Sequence, residues 1–296
     1  MGRLPTFDRR AGVRRHCDAI GRMDIDRSTL LRIADALDRL APPAVSAADP
    51  TIGDAFVFER GTLRAVAPPP AQPLARFVGI DTQRDALLAN FRRHADGAAA
   101  HDVLLWGARG MGKSSLVRSV GAAVPGLALI QVARDDLNGL PTLFRLLAAT
   151  PRRFVVYADD VSFEADERQY KALRSILDGG IEARPDNVRL VVTSNRRHLV
   201  AREHADTEAA SAVNARDVLD DRLALADRFG LSLGFHNADQ DAYLAMVAGY
   251  AAAHGLAFTD ADALAWAGGR GHRSGRVAWQ FATELAGRAG RAITPA

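Results

Sequence analysis

Short apolar runs alternate with helical patterns over residues 76–235. The runs at 103–106, 127–132, 154–158, 189–193 and 231–235 are rich in Val and Leu and are separated by stretches of helical periodicity. Near-continuous apolar runs of this length, spaced by helices, are typical of parallel strands that are covered on both faces of a sheet. The pattern therefore predicts an α/β core.

The flanking regions follow a different pattern. Residues 28–40 place Leu30, Ile33, Leu37 and Leu40 on one helical face, with Ser28 as the predicted N-cap. Apolar runs at 55–58 and 63–66 predict a small hairpin, and the prolines of 66–73 predict an extended boundary segment. Residues 239–254, 260–268 and 275–289 predict three helices after the last strand. We therefore expect a helix and hairpin region at 1–75, a core at 76–236 and a helical lid at 237–296.

Composition narrows the class of protein. Of the 296 residues, 48% are hydrophobic and 25% are charged, which is ordinary for a soluble globular protein. The 38 basic and 35 acidic residues give a net charge of +3, and only two of the basic residues are lysines, Lys113 and Lys171. A single cysteine, Cys17, excludes an internal disulfide and a cysteine-rich zinc site and fits a cytoplasmic location. No apolar run reaches the roughly 18 residues of a membrane span, so no membrane partner is expected.

Candidate chemistry begins at residues 107–114, which read GARGMGKS between a predicted strand and a predicted helix. Glycines let the backbone N–H groups of such a loop face a phosphate chain, and the helix dipole favours the negative charge. Lys113 would reach the β- and γ-phosphates, and the Ser114 hydroxyl would bind Mg²⁺. The alternative is a glycine-rich structural turn. The predicted phosphate-binding residues are Gly107, Ala108, Arg109, Gly110, Met111, Gly112, Lys113, Ser114 and Ser115.

A second strand, which ends in two carboxylates, supports this interpretation. Residues 153–160, RFVVYADD, end in Asp159 and Asp160, where open parallel sheets bind ligands. Asp159 would hold Mg²⁺ through its water shell, and Asp160 would polarise the attacking water. Because many such ATPases have the longer glutamate at the second position, Glu164 is an alternative helper. The two acids could also simply end a strand. Neither lysine follows an asparagine, so the guanine-selecting N-K-x-D pattern is absent and ATP is favoured.

These motifs resemble the AAA+ superfamily of ATPases and, more narrowly, a bacterial AAA+ family described as domain of unknown function 815. The resemblance runs from about Phe77 to the C-terminus and is carried by FVGID (77–81), GARGMGKSS (107–115), YADDVSFE (157–164), GGIEARPDNVRLVVTSNRRHL (179–199) and DRFGLSLGF (227–235). It implies a five-stranded parallel sheet in the order 5-1-4-3-2 with a helical lid, and ATP and Mg²⁺ as ligands.

The resemblance also implies roles for single residues. Val78, Gly79 and Ile80 fall where AAA+ proteins line the adenine pocket, although an ordinary packed loop is the alternative. Asn195 ends a strand where the first sensor orients the attacking water, and an amide can both donate and accept for that purpose. The alternative for Asn195 is a polar turn residue.

Two further arginines complete the implied site. Arg228, in DRFG, matches the arginine finger that enters a neighbouring subunit's site, which implies a homo-oligomer; Arg222 is the rival candidate, and a helix C-terminal arginine is the alternative. Arg276 resembles the second sensor of the lid, where Arg273 could substitute and a solvated charged turn is the alternative. Residues 196–198 (RRH) could line a pore, touch a neighbour, bind a polyanion or form a solvated loop.

We therefore expect an AAA+ ATPase that couples nucleotide state to conformational change on an unknown client, either protein or DNA. A DNA-associated ATP switch of the helicase-loader type is the alternative, and steep salt dependence of DNA binding would mark it. A small-molecule kinase would have no use for Asn195, Arg228 or a sensor-bearing lid.

Overall fold

The computed structural model describes residues 26–40, 47–161, 173–177, 184–195 and 225–294. The chain divides into two compact units, Met1–Ser46 and Ala47–Ala296. In the first unit, helix α1 spans Arg27–Leu40. Its N-cap is Asp26 rather than the predicted Ser28, because the Asp26 carboxylate accepts a hydrogen bond from the Thr29 backbone N–H at 2.6 Å.

The second unit is built on a seven-stranded sheet. Its strands are β1 (Ala55–Glu59), β2 (Thr62–Ala65), β3 (Val103–Gly107), β4 (Leu127–Val132), β5 (Arg153–Ala158), β6 (Val188–Ser194) and β7 (Leu231–Phe235). They lie in the order β2-β1-β4-β5-β6-β3-β7. Neighbouring strands are parallel except β2, which runs antiparallel to β1 at the edge.

The five predicted core strands form and have the expected order, since β7-β3-β6-β5-β4 is 5-1-4-3-2 when β3 is counted first. The prediction of a five-stranded sheet is corrected to seven strands. Hairpin β1–β2 extends the sheet because β1 pairs with β4, with Phe56 opposite Ile130. Burial of Phe56 and Phe58 accompanies this pairing. The hairpin therefore lies in the same sheet and the same compact unit as the core.

Helices cover the sheet on both sides. They are α2 (Asp81–Ala95), α3 (Lys113–Ala123), α4 (Leu140–Ala148), α5 (Gln240–His254), α6 (Asp260–Gly268) and α7 (Gly275–Arg288). Alternate residues of a strand point to opposite faces: Leu105 of β3 belongs to the hydrophobic cluster that includes α2, α3 and the three C-terminal helices, whereas Leu104 belongs to the cluster that includes α4. None of the helices in the described residues is both long and apolar enough to cross a membrane.

Helices α5, α6 and α7 form the predicted helical group at the C-terminus. Their apolar residues, among them Tyr243, Val277 and Phe281, share one buried cluster with Phe77 and Met111 of the core. We refer to these three helices as the lid. Their packing brings the N-terminus of α7 against the loop between β3 and α3.

Candidate nucleotide-binding site

The loop between β3 and α3 turns on two glycines in the left-handed backbone region. Gly110 has a φ of +77° and Gly112 has a φ of +88°, a conformation that side-chain-bearing residues rarely adopt. Gly112 is the N-cap of α3 and makes no side-chain cap bond. The first N–H groups of an α-helix have no intrahelical partner, so the N-terminus of α3 is a favourable place for an anion.

Lys113 is held inside this loop. Its ammonium donates to the carbonyl oxygens of Gly107 at 3.0 Å and Ala108 at 2.9 Å and to Asn195 Oδ1 at 2.8 Å. Burial lowers the pKa of Lys113 to about 8, with Asp160 and Asp159 opposing that shift. Because all three hydrogen-bond acceptors are neutral, the positive charge is not cancelled by direct contact with an acid. A buried ammonium of this kind favours an anionic ligand.

Asp159 follows β5 and joins three elements. Its Oδ1 accepts hydrogen bonds from the Ser114 hydroxyl at 2.5 Å and from the Thr193 hydroxyl of β6 at 2.6 Å. The neighbouring Tyr157 has a raised pKa, mainly because it is buried and also because of the charge of Asp159. Its phenol therefore stays protonated. The hydroxyl of Ser114 and the carboxylate of Asp159 are the hard oxygen ligands that Mg²⁺ prefers.

Asp160 has a constrained backbone and two side-chain partners. Its φ is +52°, which is uncommon for a residue other than glycine. The backbone N–H donates to the Thr193 hydroxyl at 2.8 Å, and the carboxylate accepts from the Asn195 amide. Arg134, which follows β4, forms an ion pair with the other carboxylate oxygen at 3.2 Å. Asn195 therefore bridges Lys113 and Asp160, as an amide with both a donor and an acceptor can.

The lid closes one side of the site. The backbone N–H of Arg276 donates to the Gly110 carbonyl at 3.0 Å, and the buried Ser274 caps α7 by accepting from the Val277 N–H. Between the lid and the loop lies a cavity of about 450 Å³. Its walls are formed by Gln72, Arg76, Phe77, Val78, Ile80, Gly110, Met111, Gly112, Lys113, Ser114, Ser115, Arg118, Asp159, Asp160, Asn195, Met246, Tyr250, Gly275, Arg276 and Trp279.

The structure brings most of the predicted site residues together at this cavity. Gly107 and Ala108 are buried behind it and supply carbonyl oxygens to Lys113. Arg109 and Gly79 are exposed beside it, and the charge of Arg109 contributes to lowering the pKa of Lys113. Glu164, Arg222 and residues 196–198 lie outside the described residues.

Arg228 lies at the other end of the sheet. It lies three positions before Leu231, the first residue of β7, whereas the phosphate loop follows the carboxyl end of β3, and these strands are parallel neighbours. The five residues of β7 span about 16 Å at the usual rise per residue. That length is greater than an arginine side chain, so Arg228 is out of reach of the site in its own chain.

Several residues of the site have no role assigned by the sequence motifs. Thr193 and Arg134 contact the two acids, and Gln72, Tyr250 and Trp279 line the cavity. Thr193 lies in a strand rich in β-branched residues and Gln72 lies in the Pro-rich segment, where neither residue type is unusual. One signal for Thr193 is its position two residues before Asn195, because in an extended chain residues two apart point to the same side.

The arrangement fits a nucleotide with a bound Mg²⁺. The glycine turns open the backbone, the Lys113 ammonium has only neutral contacts, and Ser114 and Asp159 present oxygen ligands side by side. Among the lining residues, Tyr250 and Trp279 offer aromatic rings with their centroids 5.3 Å apart in an edge-to-face arrangement. Such rings provide apolar surface for a planar base.

Solved structures of known proteins share the fold of this chain. A point variant of Thermotoga maritima RuvB is 17% identical, with 76% of this chain and 67% of that chain covered and a TM-score of 0.50. Aeropyrum pernix ORC1 in complex with DNA is 15% identical, with 76% of this chain covered and a TM-score of 0.53; the match spans 64% of that longer chain. At these identities the likeness establishes the fold, that of the AAA+ P-loop ATPases. No match was found among curated proteins.

The family comparison covers a larger share of the chain. The model of the family described as "Protein of unknown function (DUF815)" matches residues 53–289, which include hairpin β1–β2, the phosphate loop, both acids and the lid. This chain therefore belongs to the DUF815 family and has the AAA+ P-loop fold.

Proposed function

We propose that this protein binds ATP with Mg²⁺ and hydrolyses it, and that the cycle changes the conformation of the lid to act on an unknown client. The observation that supports this best is the connected set Lys113, Asn195 and Asp160, which lies beside the Ser114–Asp159 pair. These groups supply a phosphate-binding cation, a water-orienting amide, a base and a metal site within one cavity.

Each residue has a part in the proposed reaction. Lys113 and the N-terminal amides of α3 bind the phosphates, and Ser114 and Asp159 would hold Mg²⁺. The bound metal ion neutralises charge on the phosphate oxygens. Asn195 orients the attacking water, and Asp160 accepts its proton. These hydrolytic roles keep Asp160 and Asn195 as the proposed catalytic residues.

Arg228 is the third proposed catalytic residue, and its role requires a second subunit. Its position at the amino end of β7 faces away from its own phosphate loop, which suits a side chain that completes a neighbour's site. A guanidinium beside the transferring phosphoryl group stabilises charge that develops in the transition state. We therefore propose a homo-oligomer with shared active sites.

The DNA-associated alternative depends on basic segments, and the structure gives two of these arginines other contacts. Arg270 stacks on Trp266, with its guanidinium carbon 3.5 Å from the ring centroid, and donates to Gln280. Arg276 lines the cavity, and its backbone N–H donates a hydrogen bond to the phosphate loop. We therefore favour the ATPase, and the DNA-associated switch stays a prediction from the sequence.

Nucleotide binding is tested with the two lysines of the chain. Lys113→Met removes the ammonium but keeps most of the buried stem, and Lys171→Met removes the same charge elsewhere. We expect calorimetry to show Mg·ATP binding by the wild type and Lys171→Met, and a loss of about 100-fold in affinity for Lys113→Met, as expected for losing charged hydrogen bonds. Absence of binding heat for the wild type, or equal affinity of both variants, would contradict the proposal.

A further inference from the structure

Thr193 occupies a central position between the two acids. It is 1% exposed in the middle of the sheet, on β6, and its hydroxyl makes two hydrogen bonds. It donates to Asp159 Oδ1 at 2.6 Å and accepts from the backbone N–H of Asp160 at 2.8 Å. The Thr193 carbonyl also accepts from the Val161 N–H at 2.8 Å. One residue of β6 thus contacts three consecutive residues after β5.

The two hydroxyl contacts have separate consequences. The bond to Oδ1 restricts the rotation of the Asp159 carboxylate, which would hold the metal through its water shell. The bond from the Asp160 N–H holds a residue whose φ of +52° is unfavourable for an aspartate. Because that backbone conformation sets the direction of the Asp160 carboxylate, the same hydroxyl influences the base.

Ser114 cannot replace Thr193 in this task. Its hydroxyl also donates to Asp159 Oδ1, at 2.5 Å, but it is itself a proposed metal ligand. With Mg²⁺ bound, the Ser114 oxygen would be a ligand of the ion and would not be free to orient the carboxylate. Thr193 contacts the same Asp159 oxygen but is not itself a proposed metal ligand, so its hydroxyl stays available to the carboxylate.

We propose that Thr193 is a positioning residue, whose hydroxyl orients the metal-binding carboxylate of Asp159 and the backbone of Asp160 together. This inference rests on the proposed Mg·ATP site. Hydrogen-bond partners of metal-binding carboxylates influence metal affinity by about 10- to 100-fold. The effect of Thr193 is therefore expected in the Mg²⁺ dependence of nucleotide binding as well as in turnover.

The test compares Thr193→Val, which is isosteric without the hydroxyl, with Thr193→Ser, which keeps it. ATP affinity is measured by calorimetry over a series of Mg²⁺ concentrations and in EDTA, with the thermal midpoint of each variant recorded. We expect Thr193→Val to need about 10-fold more Mg²⁺ for the half-maximal gain in ATP affinity, with unchanged affinity in EDTA. Thr193→Ser should follow the wild type.

A second pair of variants allows the test even if one variant does not fold. If Thr193→Val does not fold, Thr193→Ser and Thr193→Ala differ only in the hydroxyl and should show the same displacement in Mg²⁺ dependence. Equal Mg²⁺ dependence of ATP affinity in the hydroxyl-bearing and hydroxyl-free variants would overturn the inference. An equal displacement of the Mg²⁺ dependence in Thr193→Val and Thr193→Ser would also overturn it, because it would indicate an effect of packing. A wild type without Mg²⁺-dependent ATP binding would overturn the proposed function together with this inference.

Discussion

His94 is a buried titratable residue of helix α2, which packs on the sheet that bears the site. Its Nε2 is 3.0 Å from the Phe154 carbonyl of β5, and no partner for Nδ1 is found among the described residues. Burial lowers the pKa of His94 to about 4 from its ordinary value of 6.5, and the charges of Arg189 and Arg153 add to that shift. The native protein therefore keeps this imidazole neutral at pH values where the unfolded chain protonates it.

The stability of the native protein therefore falls as the pH is lowered. The unfolded chain binds the proton below pH 6.5 and the native state only near pH 4, so stability is full above 6.5 and falls as the pH drops towards 4. At pH 5 the loss from His94 would be about 2 kcal/mol, at about 1.4 kcal/mol per unit. Urea unfolding at pH 7 and pH 5 measures it. His94→Gln, which keeps a donor, should lose less stability on acidification, and identical losses in both proteins would refute the assignment.

At the residue scale, sequence reasoning found the groups that carry a motif. Lys113, Ser114 and Asp159 follow from the phosphate loop and from an acid at a strand end, because spacing along the chain encodes both features. The sequence assigns no role to Thr193 or Arg134, since their contacts join segments that are far apart along the chain. A threonine in a buried strand satisfies ordinary β propensity, so nothing local distinguishes it.

At the scale of elements, the phosphate loop and the lid are so close that adding one methyl group at Gly110 should disturb their contact. A Cβ at Gly110 would lie 2.9 Å from both the Arg276 Cβ and the Ser274 Oγ. A Cβ at Gly271 would meet nothing within 4 Å, although its φ of +71° is similar to the +77° of Gly110. Alanine at either position thus causes similar backbone strain, and only Gly110→Ala pushes against α7.

We expect Gly110→Ala to separate α7 from the loop and break the bond from the Arg276 N–H to the Gly110 carbonyl. The N–H of Arg276 belongs to the first turn of a helix, where no intrahelical acceptor protects it. Hydrogen exchange of residues 274–278 should therefore be faster in Gly110→Ala than in Gly271→Ala, and ATP affinity should be lower. Equal exchange in the two variants would mean that the loop and the lid are not coupled through this contact.

Most elements were predictable within a residue or two because their apolar periods are local. The predicted strands 127–132 and 231–235 match β4 and β7, and the helix predicted at 260–268 matches α6. The place of hairpin β1–β2 was not predictable in the same way. Its pairing with β4 joins segments more than seventy residues apart, such as Phe56 and Ile130, and periodicity carries no information on such partners.

At the scale of the whole molecule, the separation of Arg228 from its own phosphate loop leads to a prediction about mixtures. Arg228 is not among the residues that line the cavity, so Arg228→Ala should bind Mg·ATP normally but lose turnover by about 1,000-fold or more. Asp160→Asn should also lose turnover, because the base is removed, while its Arg228 stays intact.

If adjacent subunits share a site, the two inactive proteins should complement each other. An interface that pairs an intact Asp160 from one variant with an intact Arg228 from the other is complete, and random mixing of equal amounts makes about a quarter of the interfaces complete in a closed oligomer. Phosphate release by the mixture should recover accordingly. A mixture of Asp160→Asn with Lys113→Met is the control, since both proteins have defective sites and no interface can become active. Full turnover by Arg228→Ala alone, or an inactive mixture of the complementary pair after subunit exchange, would refute the shared site, because each outcome requires that the guanidinium does not act across the interface.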